Sequence, residues 1–312
     1  MGYRLYFGNV VSGAYELIAD AGAFALTGQA ATLTKDSAQQ ADPGSFILTG
    51  QDATFSRGYT FQADAGSFAL SGQDASLIKE SSIAADAGAF ALTGQDAGLT
   101  IQRVIAIDAG SFALSGQDAA LNIARALSAD AGSFLLSGQA ADLLAQRILS
   151  ADPGAYLLNG QDAGLGKGVI FEADAGSFNL SGQAIDLIAQ KQLSIDAGSF
   201  LLNGQSVDLL RGLQFSADNG SFILNGQDAV FLFGRTFQAD NGSFVLTGQD
   251  IATLVNRALQ AESGSFVLTG KDAIFIRDLI LQIDPGAFVI TGQDVTLLYT
   301  PLLKGYTQAI FT

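Results

Sequence analysis

The sequence contains no cysteine, no histidine and no tryptophan, and only 14% of its 312 residues are charged. Each absence closes a class of chemistry. Without cysteine there is no disulfide, no thiolate nucleophile and no cysteine-based zinc site. Without histidine the commonest general base and the commonest metal ligand are missing. No run of 18 or more apolar residues occurs, so no membrane span is expected. The start, Met1-Gly2-Tyr3-Arg4-Leu5-Tyr6-Phe7, shows no long apolar stretch with a cleavage site. The expectation is a product made in the cytoplasm with no Sec-type export route. Positive charge is also scarce: 15 Lys and Arg stand against 30 Asp and Glu, a net charge of −15. Such a chain repels phosphate backbones, which argues against general nucleic-acid binding.

What is present is apolar and small. Hydrophobic residues make up 48%, with 37 glycines and 22 phenylalanines. That content excludes a disordered chain and suggests stacked β-structure with many turns. The pattern Gly-(Ser/Ala)-(Phe/Tyr)-x-(Leu/Ile)-(Thr/Ser/Asn)-Gly-(Gln/Lys) begins at Gly22, Gly44, Gly66 and every 22 residues onward to Gly286. There are thirteen copies and no insertion or deletion. The organisation reads as an N-terminal half-repeat cap at 1–19, thirteen tandem β repeats at 20–297 and a C-terminal cap at 298–312.

Turn signals fall at two fixed places in each unit. Asp-Ala-Gly, Asp-Pro-Gly or Asp-Asn-Gly precedes the motif, where glycine can supply a positive φ. Thr-Gly, Ser-Gly or Asn-Gly follows the Leu, and Asn-Gly at 159–160, 203–204 and 225–226 is a strong hairpin signal. A Ser71-Gly72 hairpin would set Leu70 opposite Gln73 and Phe68 opposite Ala75. Phe68, Leu70, Ala75 and Leu77 would then share one face. The longer second segment alternates with period 2, as a half-buried strand does. Glycines near its middle, at Gly58, Gly168, Gly212 and Gly234, suggest a bend or third turn there.

Periodicity places equivalent residues in columns. Phe fills one column in twelve copies and Tyr156 completes it, which reads as core packing rather than an aromatic ligand site. A base column runs Lys35, Arg57, Lys79, Arg103, Arg125, Arg147, Lys167, Lys191, Arg211, Arg235, Arg257 and Arg277. Its parity matches the core, so these residues sit at the bend, snorkel outward or meet carboxylates. One acid column precedes every motif, at Asp20, Asp42, Asp64 and onward, with Glu262 the variant. A second holds Asp52, Asp74, Asp96, Asp118, Asp162, Asp228, Asp250, Asp272 and Asp294. Where it is interrupted, Asp142, Asp186 and Asp208 appear two residues later, on the same face.

Aligned carboxylates could bind calcium as in a β-roll, but the Gly-Gly-x-Gly-x-Asp nonapeptide is absent and turn capping is the plainer reading. The Ser/Thr/Asn column at 27, 49, 71 and 93 is too mixed for an ice-binding array and fits turn chemistry. No catalytic, cofactor or metal residue is assigned. Paired carboxylates recur in every unit, and no histidine can activate the Gly-Ser-Phe serine, so an enzyme is not expected.

The motif, clearest as Gly44-Ser45-Phe46-Ile47-Leu48-Thr49-Gly50-Gln51-Asp52-Ala53-Thr54-Phe55, resembles tandem 22-residue repeats in proteins encoded among the structural genes of tailed bacteriophages and prophages. The resemblance covers residues 20–297. It implies a virion component in the tail or a fibre-like appendage, self-assembling and contacting other virion proteins, with a host-surface receptor as a candidate partner. One departure is the Asp after Gln, where relatives often carry Ala. The alternative is an extracellular or cell-surface filament or adhesin.

The expected fold class is all-β, an elongated repeat rod of thirteen units. As a β-solenoid or hairpin stack, thirteen rungs at about 4.8 Å would span roughly 60 Å. The alternative is an interwoven homotrimeric fibre. The short strand is apolar on both faces, which favours an oligomeric assembly, since one chain's unit covers only one of them.

Overall fold

The computed structural model describes residues 3–311 except 5–9, 13–16, 21–22, 36–38, 43, 58–60, 64, 80–82, 102, 146–147, 152, 168–169, 190–191, 212–213, 234–235, 240, 256–257, 262, 278–279, 284–286 and 300–308. It forms two compact units, Met1–Gln161 and Asp162–Thr312. Both are built from the same rung. Among the described residues there is no helix, and hence none long and apolar enough to cross a membrane.

A rung of the first unit shows the construction. A short strand Ser111–Ser115 is followed by a long strand Asp118–Ile123 and a third strand Ala126–Ala129. Phe112 and Leu114 point inward from the short strand, Ala119, Leu121 and Ile123 from the long one, and Leu127 and Ala129 from the third. Buried positions are even-numbered on the short strand and odd-numbered on the long one. The Ser-Gly-Gln corner between them therefore reverses the pleat, as a turn around a common core requires.

Every strand lies beside its own copy. Phe112 is level with Phe134, Leu121 with Leu143 and Leu127 with Leu149, all in parallel pairing at an offset of 22. The second unit repeats this, with Phe200 beside Phe222, Leu209 beside Phe231 and Phe215 beside Phe237. This is a β-solenoid with one rung per repeat. In the first unit the short and long strands of two rungs run together as Ala23–Lys35 and Ser45–Arg57.

The ends extend the stack beyond the motif, with the outermost strands paired at an offset of 21 residues and not 22. Tyr3–Arg4, Val10–Ser12 and Leu17–Asp20 pair with Phe24–Ala25, Thr32–Thr34 and Gln39–Asp42 respectively. The segment read as a half-repeat cap thus contributes to all three strand positions. In the second unit the last long strand runs Asp294–Tyr299, and Ala309–Phe311 pairs with Phe288–Ile290.

The hairpin expected at Ser71-Gly72 does not form. Leu70 lies between Leu48 and Leu92, and the Gly72 N–H donates to the Thr93 carbonyl at 3.0 Å. A four-residue hairpin arm would leave its outer edge unpaired, whereas stacking with period 22 pairs both edges with identical strands. The shared face survives: Phe68, Leu70, Ala75 and Leu77 are all buried. The described strands find their neighbours within their own chain, as a solenoid does and an interwoven fibre does not. A third turn stands where the long segment was expected to bend, between Ile123 and Ala126, while Gly58, Gly168, Gly212 and Gly234 lie outside the described residues.

The motif glycines are required for a different reason than turn conformation. Gly110, Gly132, Gly154 and Gly220 do not adopt a positive φ. A Cβ at Gly132 would instead stand 2.5 Å from Ile107 Cγ2 and 2.7 Å from the Gly110 carbonyl oxygen. Rungs approach so closely at this corner that only hydrogen fits.

Candidate functional surface

The aromatic column is continuous within each unit. In the first, Phe46, Phe68, Phe90, Phe112 and Phe134 stack with ring centroids 4.9–5.1 Å apart and planes within 8°. Tyr156 follows at 5.4 Å, tilted by 41°. Its hydroxyl donates to the Ser150 carbonyl at 2.9 Å, tying the short strand to the third strand of the rung before the corner. Burial, reinforced by the Asp130 charge, holds this phenol well above the ordinary tyrosine range. In the second unit Phe178, Phe200, Phe222, Phe244 and Phe266 stack at 4.8–5.1 Å. Phe231, from a long strand, wedges its ring against Phe222 and Phe244 at tilts of 57° and 53°. Among the described residues this column is core, as the sequence suggests.

Among the described residues the acid columns lie on the outer face. Asp86, Asp108, Asp130, Asp174, Asp196 and Asp218 of the first acid column are exposed at their corner. There the backbone is knitted rung to rung, with the Ala109 N–H donating to the Asp86 carbonyl and the Ala131 N–H to that of Asp108, at 2.6 and 2.7 Å. In the second column Asp52, Asp74, Asp96 and Asp118 are in-register neighbours, as are Asp228, Asp250, Asp272 and Asp294. Asp142 and Asp186 are exposed, two residues along the same outer face, as their spacing predicts. Partial burial, and secondarily the Asp186 charge beside it, raises the Asp208 carboxyl above the ordinary aspartate range. Among the described residues no group of three or more acidic side chains is placed to hold a metal ion.

Arg103 and Arg125 stand exposed at the bend between long and third strands, the first of the placements expected for the base column. Lys35, Arg57, Lys79, Lys167, Arg211 and Arg277 close their strands. Arg147, Lys191, Arg235 and Arg257 lie outside the described residues. The Ser/Thr/Asn column serves its corner: its carbonyls accept from the glycine of the preceding rung, as when the Gly94 N–H donates to Ser115 at 3.1 Å. Its hydroxyls also meet along the stack, with Thr49 Oγ1 3.2 Å from Ser71 Oγ.

Two features escape composition. Thr253 occupies an inward position otherwise held by Leu or Phe, is 1% exposed, and its hydroxyl has no partner. Asn179 takes the position after the ladder Phe, with a buried, unpartnered Oδ1. Each is visible in the sequence as the polar exception in an apolar column. The outer side of the long strands also carries large apolar groups, Ile78 and Leu144 in the first unit and Ile188, Ile274 and Leu298 in the second. Comparison with protein-family models, curated proteins and solved structures returns no match.

Proposed function

We propose that this protein is a structural component of a tailed-bacteriophage virion, in the tail or a fibre-like appendage, acting by self-assembly and surface contact. The observation that carries the structural part is the parallel stacking of equivalent rungs within each unit, in which Phe or Tyr and then Leu recur from level to level of the described core. Such a design multiplies one surface along an axis and supports contact work better than chemistry at a single point. The phage assignment rests on the resemblance of the Gly-Ser-Phe-x-Leu-Thr-Gly-Gln repeat to proteins encoded among phage structural genes. Other virion structural proteins and further copies of the chain are the partners this reading supplies.

Immunogold labelling of purified particles and of uninfected and infected cells tests it. Label on a defined part of the particle is the expected result. Label confined to cell envelopes, with bare particles, overturns the virion reading in favour of a cell-surface filament or adhesin.

A further inference from the structure

In an Asn-Gly pair a side-chain amide and the next backbone nitrogen meet with little hindrance, because glycine adds no side chain beside that nitrogen. The sequence holds five such pairs. Asn159, Asn203 and Asn225 belong to the Ser/Thr/Asn corner, and Asn219 and Asn241 to the acid corner. At the Ser/Thr/Asn corner the peptide group joining Asn to Gly is tied to the rungs beside it. The Asn203 carbonyl accepts from the Gly182 N–H at 3.1 Å, and the Gly204 N–H donates to the Asn225 carbonyl at 3.0 Å. The Gly226 N–H in turn donates to the Thr247 carbonyl at 2.9 Å. At the acid corner the bonds fall on either side of that peptide group. The Asn219 N–H donates to the Asp196 carbonyl at 2.8 Å and the Ser221 N–H to that of Gly198 at 3.0 Å. The Asn241 N–H donates to the Asp218 carbonyl at 2.7 Å and the Ser243 N–H to that of Gly220 at 3.0 Å. Among the described residues the Asn219 and Asn241 carbonyls and the Gly220 and Gly242 N–H groups take no backbone partner.

We infer that Asn219 and Asn241 are sites of spontaneous deamidation through a cyclic imide, and that rung-to-rung hydrogen bonds shield Asn203 and Asn225. Hydroxide takes the Gly220 amide proton, and the nitrogen bonds to Asn219 Cγ. The Cγ–Nδ2 bond breaks and ammonia leaves, its third proton coming from water. Water then opens the ring at either carbonyl, giving aspartate or, with the main chain rerouted through Cγ, isoaspartate. Ring closure requires the Asn-Gly peptide group to turn and its nitrogen to lose a proton. At Gly204 and Gly226 both steps break a bond to the next rung, and at Gly220 and Gly242 neither does. Exposure does not make the distinction, since Asn203 is as open to solvent as Asn219 and Asn241. The Asn241 Nδ2 group donates to Asn219 Oδ1 at 3.3 Å, which polarises the carbonyl under attack and leaves the attacking nitrogen alone. Each conversion places a further carboxylate beside the exposed Asp196 and Asp218, so the acid corner of the second unit grows more acidic with age.

Peptide mapping by mass spectrometry of the full chain, aged at mildly alkaline pH, is the primary test. Fragment spectra assign each amide-to-acid mass gain to its residue. Gains at Asn219 and Asn241 are expected to run at least about fivefold ahead of those at Asn203 and Asn225, the ratio one backbone hydrogen bond supplies. In the urea-unfolded chain the four rates are expected to converge. Equal rates in the folded chain, or faster gain at Asn203 and Asn225, overturn the inference. Aspartate without its isoaspartyl isomer at Asn219 overturns the imide route.

Moving the pair to the first unit tests the corner itself. Ala131→Asn places asparagine before Gly132 at the acid corner, where the bonds again fall on either side, from the Ala131 N–H to Asp108 and from the Ser133 N–H to Gly110. Ser137→Asn places it before Gly138, whose N–H donates to the Asn159 carbonyl at 2.9 Å. Other copies carry asparagine naturally at both positions, so both variants are expected to keep the parent circular dichroism spectrum. Ala131→Asn is expected to deamidate at a rate like that of Asn219, and Ser137→Asn at least about fivefold more slowly. Equal rates or the reverse order overturn the shielding.

Discussion

Phe112 sits between Phe90 and Phe134 at 4.9 and 5.0 Å, and 1% of its surface meets solvent. Its truncation leaves a ring-sized gap that rigid rungs above and below cannot close. Phe112→Ala is expected to cost about 3–5 kcal/mol in urea unfolding of the first unit. Glycine makes a sharper pair of tests. Gly132→Ala drives a methyl into Ile107 and the Gly110 carbonyl and is expected to lower stability by about 1–3 kcal/mol. Gly98 faces open space, and Gly98→Ala is expected to raise stability by about 0.4–1 kcal/mol by restricting the unfolded chain. Equal effects at the two sites would refute the close-approach explanation. Thr253→Val removes a buried hydroxyl that nothing satisfies and keeps the shape, so a gain of about 1–2 kcal/mol is expected in thermal melts. All four positions are readable in the sequence as members of columns. Their consequences are not, because distance to the next rung is a property of stacking.

At the scale of the strand, the paired carboxylates of the long strands predict a pH effect. Asp208 lies level with Asp186 on adjacent long strands, and burial raises its carboxyl above the ordinary aspartate range. A raised value in the fold means that protonation favours the folded state. The contribution is fully present below the unfolded-chain value and is lost as pH rises through the folded one. Asp208→Asn is therefore expected to melt higher than wild type at pH 7, with the difference vanishing in acid. A difference that persists below the ordinary aspartate range would show that the charge is not its cause. The period-2 alternation of the long segment and the inward set of Phe68, Leu70, Ala75 and Leu77 were both legible before the fold was known. The strand partners were not. A hairpin and a parallel stack bury the same side chains, and only the second pairs both backbone edges.

For the molecule as a set of rungs, the offset of 22 makes units interchangeable. Deleting residues 111–132 removes one rung and brings equivalent strands together. Such a variant is expected to keep the circular dichroism of the parent per residue. Deleting 111–121 shifts inward residues out of register with their neighbours and is expected to abolish cooperative melting of the first unit. If both variants fold alike, repeat register is not what holds the unit together. The cation-binding β-roll makes a different whole-molecule claim. The acid ladders are expected to be solvated edges, so a chelator should leave the melting temperature unchanged, whereas a sharp drop would establish bound cations.

The sequence by itself determined the period, the number of units, the identity of the columns and which side chains face inward, because burial follows from alternation and repetition alone. Tertiary structure decided what lies next to what. It replaced the hairpin with parallel neighbours 22 residues apart, and it turned the invariant glycine from a conformational requirement into a steric one. Each of these depends on the distance between rungs, and no pattern within one repeat encodes that distance.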